Sequence, residues 1–216
     1  MFNLQSILIG VPTTLLALTV HEFAHGLVST KLGDPTPRYQ GRLTLNPMAH
    51  LDLIGTILMI ITGFGWAKPV QINPNYYKNR TKGMALVAAA GPLANFILAF
   101  LGILVGYIII LLCLLAGAPD AVINSLESIV FVFAFRNLCF MVFNLIPLPP
   151  LDGFKVAGLF IPNRIYYNIL RYEQYVILVI MLLSLSGAFN SIIGTGVNFF
   201  MNMLFNAVWS ILGIFI

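Results

Sequence analysis

Residues 21–25 read HEFAH, two histidines four positions apart with a glutamate directly after the first. On a helix, residues at i and i+4 lie on one face, so His21 and His25 can bind one metal ion together. Glu22 is turned about 100° away from His21 and can reach a water molecule beside the ion instead. Zinc lowers the pKa of such a water, and a carboxylate can take its proton as it attacks a carbonyl. The pattern predicts a metal-dependent hydrolase.

A catalytic zinc site commonly has three protein ligands and one open position. The third ligand must come from another part of the chain, and Asp152 and His50 are the main candidates. Asp152 belongs to NLIPLPPLDG (144–153), where prolines end the preceding helix and Gly153 permits a tight turn. We favour Asp152 for this reason, although the residues alone leave His50 open.

The composition is that of an integral membrane protein. Of the 216 residues, 59% are hydrophobic and 8% are charged, and the mean hydropathy is +0.94. A soluble domain rarely exceeds about 50% apolar residues. The formal net charge is +4, but the basic residues are too few and too scattered to form a face for nucleic acid. We expect the lipid bilayer, and no nucleic acid, to be a partner.

Apolar runs of about 20 residues predict membrane-spanning helices. Five runs of roughly this kind lie near residues 4–30, 83–116, 124–146, 174–188 and 197–216. The shorter run at 51–63 favours a re-entrant segment. Alternating apolar and polar residues at 38–45 and 65–73 predict short β-strands near the membrane surface. We therefore expect an all-α polytopic membrane protein that forms a single domain over residues 1–216, with a re-entrant segment and short membrane-associated strands.

The positions of the basic residues predict the orientation. With 51–63 re-entrant, all Lys and Arg residues except Arg136 fall on one side of the membrane. Because Lys and Arg favour cytoplasmic loops, we expect the loops at 31–82 and 152–173 to be cytoplasmic. The N-terminus is then outside the cell membrane, and the C-terminus and the HEFAH site are toward the cytoplasm.

HEFAH in one apolar helix and NLIPLPPLDG at the end of another together resemble the site-2 protease family of intramembrane zinc metalloproteases. The resemblance is to the small subgroup without a PDZ or CBS domain. Three further stretches are similar to that subgroup: GRLTLNPMAHLDLIGT (41–56), GWAKPVQINP (65–74) and GPLANF (91–96). The resemblance covers most of residues 10–160.

The resemblance implies one zinc ion per chain, bound by His21, His25 and Asp152, with Glu22 as the general base. It also implies a role for Asn144 in holding the substrate or polarising its carbonyl, a common use of an amide donor. The alternative for Asn144 is a hydrogen bond between helices. Asn95, in GPLANF, is weighed evenly between packing and substrate contact.

The implied substrates are single-span membrane proteins. A helical substrate must unwind before its carbonyl is accessible, and the segment with Lys68, Pro69 and Val70 could pair with the unwound piece. The alternative for that segment is a surface hairpin that only covers the site. Two other functions stay open, a transporter and a non-catalytic scaffold, each with a structural metal site.

Overall fold

The computed structural model describes residues 4–56 and 67–213, and the bounds below refer to that part of the chain. Its helices are α1 (Leu4–Lys31), α2 (Thr36–Tyr39), α3 (Arg80–Leu115), α4 (Asp120–Asn144), α5 (Asp152–Ala157), α6 (Asn163–Leu170), α7 (Glu173–Leu185) and α8 (Ala188–Leu212). Two 3₁₀ turns, Pro47–Ala49 and Pro74–Tyr76, lie in the connection between α2 and α3. Residues 53–56 are also helical.

Local sequence signals explain where the first helices begin and end. α1 ends in a Schellman motif, because Gly33 adopts a φ of +103° and Asp34 N–H bonds to the Ser29 carbonyl at 3.1 Å. The side chain of Asn79 caps α3 by accepting a hydrogen bond from Lys82 N–H at 3.0 Å. These two caps fix the chain direction on either side of the long connection.

The long helix α3 is the centre of the fold, since it packs against α1, α4, α5 and α8. Its glycines allow α4 to approach closely. A Cβ atom added at Gly102 would lie 2.4 Å from the ring of Phe133, and one added at Gly106 would lie 2.2 Å from Val130. Ile103, Leu138 and Val197 are among the fully buried residues that join α3, α4 and α8 in one hydrophobic core.

The outer surface of α3 and α4 is apolar and exposed, as a lipid-facing surface must be. The exposed residues of α3 include Leu93, Ile97, Leu101, Val105, Ile109 and Leu112. Within the described part of the chain, α3 and α4 are the two helices that the length and hydropathy criteria identify as able to cross a membrane. With 36 residues, α3 is about 54 Å long, which exceeds the roughly 30 Å of a hydrocarbon core.

The spans predicted at 4–30, 83–116 and 124–146 correspond to α1, α3 and α4 within a few residues. The division of the last apolar stretch differs from the prediction. α7 has only 13 residues, and α8 begins at Ala188 instead of 197. The reason is that the chain turns at Gly187, which has a φ of +76°, so that the following polar stretch continues as helix. The count of five spans stays a prediction.

The strand predicted at 38–45 was wrong. Arg38 and Tyr39 belong to α2, which ends in a second Schellman motif in which Gly41 has a φ of +66° and Arg42 N–H bonds to the Pro37 carbonyl. The prolines and Gly41 impose this turn, and it overrides the alternating pattern.

The strand predicted at 65–73 is also not formed in its described part. Residues 67–73 are neither helix nor strand there and make only one isolated antiparallel bridge, between Leu51 and Ala67. Most of the re-entrant segment predicted at 51–63, residues 57–63, lies outside the described residues, as do residues 65 and 66 of the predicted strand.

The packing of α3 on α4 yields a stability prediction. Gly106→Ala should lower the free energy of unfolding by about 1–3 kcal/mol, because the new methyl group overlaps Val130. Gly194→Ala is the matched control, since a Cβ at Gly194 meets no atom within 4 Å. Thermal unfolding of both variants in detergent, followed by circular dichroism, measures the difference. Equal stability of the two variants would contradict the close packing.

Candidate metal centre

His21, His25 and Asp152 converge at one buried point between α1 and the start of α5. The Nε2 atoms of His21 and His25 lie 3.1 and 3.0 Å from the same Asp152 oxygen, Oδ2. The three side chains come from residues that are only 6%, 9% and 4% exposed. The two rings meet edge to face, with their centroids 4.6 Å apart. The predicted ligand set, whose members are separated by 131 positions in the sequence, is therefore assembled by the fold.

The outer nitrogen of each imidazole has a fixed partner. His25 Nδ1 donates to the Val87 carbonyl at 2.7 Å. His21 Nδ1 lies 2.7 Å from Asn95 Oδ1. Asn95 must present this oxygen to His21, because its Nδ2 atom donates to the Ala17 carbonyl at 2.9 Å. Both Nδ1 atoms therefore carry the ring proton, and both Nε2 lone pairs point to the Asp152 side.

This donor set fits zinc. Two ligand atoms about 2.0–2.1 Å from a tetrahedral ion are about 3.3 Å apart, close to the observed nitrogen–oxygen separations. Gly91 of α3 keeps the space beside the rings open, because a Cβ there would lie 2.6 Å from ring atoms of both histidines. Two imidazoles and one carboxylate with an open fourth position are the ligands of a catalytic zinc site.

Asp152 is held in place by its own short helix. It is the first residue of α5, and its second oxygen, Oδ1, accepts a hydrogen bond from Lys155 Nζ at 3.1 Å. Gly153 packs directly on the end of α4, since a Cβ there would lie 2.2 Å from the Leu145 carbonyl oxygen. The lysine therefore leaves Oδ2 directed at the histidines and offsets part of the carboxylate charge.

Glu22 does not belong to the metal cluster but is tied to the predicted substrate segment. Its Oε2 atom accepts a hydrogen bond from Val70 N–H at 2.9 Å. Lys68 and Pro69, which precede Val70, are exposed. The Lys68 backbone is anchored on its other side, because its N–H donates to the His50 carbonyl at 2.9 Å. The structure thus brings the predicted general base and the predicted substrate segment together.

Other predicted residues lie outside the cluster. Asn144 is the last residue of α4, and its amide donates to the Phe140 carbonyl of the same helix at 3.0 Å. An amide has two N–H donors, and among the described residues Phe140 accepts one of them. His50, the alternative third ligand, is fully buried, and its Nε2 lies 2.9 Å from the Thr44 carbonyl oxygen.

Asn95 is fully buried and contacts His21, Ala17 and Asn137. These are the contacts of a residue that orients a metal ligand, and a substrate contact for Asn95 stays a prediction.

Sequence reasoning did not assign a role at the site to Gly91, Asn137 or Lys155. Lys155 had a usable signal, since i and i+3 are neighbours on a helix that begins at Asp152. Gly91 and Asn137 had none, because only the packing of α3 on its neighbours brings them to the site.

Comparison with known proteins points to a family of zinc metalloproteases. The sequence profile described as Peptidase family M50 matches residues 104–187. A Bacillus subtilis protein named "Putative zinc metalloprotease YwhC" is 38% identical over 175 residues, which cover 80% of this chain and 78% of that protein. Proteins named "Putative zinc metalloprotease Rip2" from Mycolicibacterium smegmatis and Mycobacterium tuberculosis are 27% and 26% identical, with 82% of this chain and 66% of each of theirs covered. No solved structure gives a significant match.

The chain belongs to peptidase family M50, the site-2 proteases. It is a membrane zinc metallopeptidase, and Zn²⁺ is its cofactor. The resemblance read from HEFAH and NLIPLPPLDG is confirmed.

The space left by Gly91 gives a prediction about metal binding. Gly91→Ala should weaken zinc affinity at least about tenfold, because the methyl group displaces the two imidazoles. Zinc affinity of purified protein, measured by competition with a chelator, tests this. Gly194→Ala is again the control. Zinc affinity equal to that of wild type in Gly91→Ala would show that the rings are not where the structure has them.

The hydrogen bond from His21 to Asn95 gives a second prediction. Asn95→Ala should raise the zinc dissociation constant by about 10–100-fold, because the His21 ring loses the acceptor that fixes its tautomer. The same competition assay measures this constant. Unchanged zinc affinity combined with a raised KM would instead identify Asn95 as a substrate contact.

Proposed function

We propose that this chain is a zinc endopeptidase that hydrolyses a peptide bond of membrane-spanning proteins close to the cytoplasmic face. The observation that carries the proposal is the buried His21–His25–Asp152 cluster beside Glu22, which follows His21 directly and is held by the Val70 N–H. A buried metal site supports hydrolysis within the membrane, because water and a polarising ion must be brought to a carbonyl that lipid otherwise surrounds.

When bound, zinc supplies a water of lowered pKa and polarises the substrate carbonyl. His21 and His25 would hold the ion through Nε2, and Asp152 through Oδ2. The buried residues Asn95 and Val87, together with the partly exposed Lys155, keep these three groups from turning away.

Glu22 would act as the general base. Its Oε2 atom is engaged by Val70 N–H, and the described residues offer its Oε1 atom no hydrogen bond. Oε1 is therefore the oxygen that would take the proton from the attacking water and pass it to the leaving amine.

The substrate would bind as an extended strand along Lys68, Pro69 and Val70. Within the described chain, residues 67–73 are not helical, and Ala67 already pairs with Leu51 in an antiparallel bridge, which supports this assignment. Pro69 has no N–H, so backbone pairing there would rely on carbonyl groups. Within the described part of the chain, the Asn144 amide donates only to the Phe140 carbonyl, so its second N–H would serve the developing oxyanion.

The proposed orientation has the N-terminus outside the cell membrane and the C-terminus and active site toward the cytoplasm. It is supported by the charge distribution, in which the loops at 31–82 and 152–173 carry ten of the chain's 11 Lys and Arg residues. Cleavage of single-span proteins at this depth is the chemistry of regulated intramembrane proteolysis.

The decisive variant is Glu22→Gln. It should keep about one zinc per chain but lose at least about 100-fold in cleavage rate, because the amide cannot accept the proton. The assay uses a purified single-span protein, tagged at both ends and reconstituted with the enzyme in vesicles, together with elemental analysis for zinc.

Glu127→Gln, at an exposed position of α4, is the matched control and should cut normally. His25→Ala should lose both zinc and activity. Cleavage by Glu22→Gln at the wild-type rate would contradict the assignment of the base.

A further inference from the structure

Asp34 is a fully buried carboxylate just beyond the end of α1, away from the metal ligands. Its Oδ1 atom accepts a hydrogen bond from Thr36 N–H at 2.9 Å. Its Oδ2 atom accepts two, from the Ser29 hydroxyl at 2.8 Å and from Asn73 N–H at 2.7 Å. Burying a carboxylate is costly unless hydrogen-bond donors satisfy it. Asp34 therefore fixes the positions of the three groups that donate to it, and their loss would destabilise the buried charge.

The charge of Asp34 is balanced by hydrogen bonds. Among the described residues, no Lys or Arg is paired with it. Burial would raise the pKa of Asp34, but the hydrogen bonds from Thr36, Asn73 and Ser29 outweigh burial and hold this pKa below its usual value. The carboxylate is therefore ionised at neutral pH and a strong acceptor.

Asn73 is the important donor because of where it lies. It ends the segment 67–73, whose Val70 N–H binds Glu22. The segment is thus tied twice, by Glu22 of α1 at Val70 and by Asp34, just after α1, at Asn73. Asn73 follows Val70 by only three residues, and even a fully extended chain of that length reaches only about 10 Å, so the two ties limit sliding of the segment.

The Asp34 end is reinforced by an aromatic side chain. Tyr77 is 6% exposed, and its hydroxyl lies 2.7 Å from the Ser29 hydroxyl. The Tyr77 ring packs on Gly83 in the first turn of α3, where a Cβ would lie 2.4 Å from the ring. Asp34, Ser29 and Tyr77 therefore connect α1, the segment and α3 in one buried network.

We propose that Asp34 is a positioning residue that holds the 67–73 segment in register with Glu22, so that substrate bound along the segment lies at the correct distance from the base. The inference rests on the proposed function for its kinetic part only. Asp34 touches neither the substrate nor the metal ligands, and it acts through Asn73 and Val70.

Asp34→Asn tests the tie directly. The amide keeps one oxygen for Thr36 but turns an N–H donor toward Asn73 N–H, which cannot accept. Hydrogen–deuterium exchange of peptides within residues 67–77 should accelerate at least about tenfold, since one hydrogen bond to a charged acceptor is lost. Zinc content should stay at the wild-type level. The cleavage rate should fall by about tenfold to 100-fold, as expected for a misplaced reacting group.

Asp120→Asn, the same substitution at an exposed position at the start of α4, is the matched control. Its exchange in 67–77 and its cleavage rate should stay within about twofold of wild type, because Asp120 lies outside the Asp34 network. Normal exchange and normal cleavage in Asp34→Asn would overturn the proposal. Loss of zinc from Asp34→Asn would overturn it too, since Asp34 would then support the end of α1 in general.

A double-mutant cycle with Val70→Pro, which removes the N–H that meets Glu22, tests the route of the effect. If Asp34 acts through this contact, the rate of the double variant should equal that of Val70→Pro alone. Fully additive losses would contradict the route. If wild type cleaves no substrate, the proposed function fails, whereas the exchange and zinc measurements still decide whether Asp34 holds the segment.

Discussion

Two imidazole nitrogens and one carboxylate oxygen meet in a buried space, and the rest of the structure depends on keeping them together. Buried polar groups are costly unless each has a partner. Here every outer atom of the three ligands is bound: His21 by Asn95, His25 by the Val87 carbonyl and Asp152 by Lys155. α3 provides two of these three partners, which explains why the longest helix lies at the centre of the fold.

The same helix also provides the space for the site. Gly91 lies against both histidines, and Gly102 and Gly106 lie against α4. In a bilayer the hydrophobic effect does not drive helices together, because the lipid tails are as apolar as the side chains. Small residues instead let the helix backbones approach closely, so that van der Waals packing holds them together. The stretch of α3 around Gly91 thus combines the tight packing of a membrane bundle with the room that a metal ion requires.

Much of the site could be predicted from the sequence because its chemistry is local. His21, Glu22 and His25 follow from helix geometry, and Asp152 follows from a proline-rich helix end that the resemblance made specific. The roles of Asn95, Gly91 and Asn137 could not be predicted, since they depend on which face of α3 or α4 meets α1. When a helix is apolar on all sides, its hydrophobic pattern does not show which face packs against its neighbour.

The errors in the fold have equally local causes. The alternation at 38–45 suggested a strand, but two prolines and Gly41 impose a helical turn with a Schellman end. The polar stretch at 184–196 suggested a long break, whereas the chain turns at Gly187 and resumes as helix at once. In both cases one residue with positive φ decided the backbone, and hydrophobic pattern alone does not reveal which glycine takes that conformation.

X-ray absorption spectroscopy at the zinc edge of the purified wild-type enzyme tests the central claim most directly. The account predicts one zinc per chain with two imidazole nitrogens at about 2.0–2.1 Å and oxygen donors completing a four-coordinate shell. A shell with three imidazoles would place His50 at the metal, and sulfur at about 2.3 Å would bring in Cys113 or Cys139. Either result, or zinc well below one per chain, would contradict the His21–His25–Asp152 site.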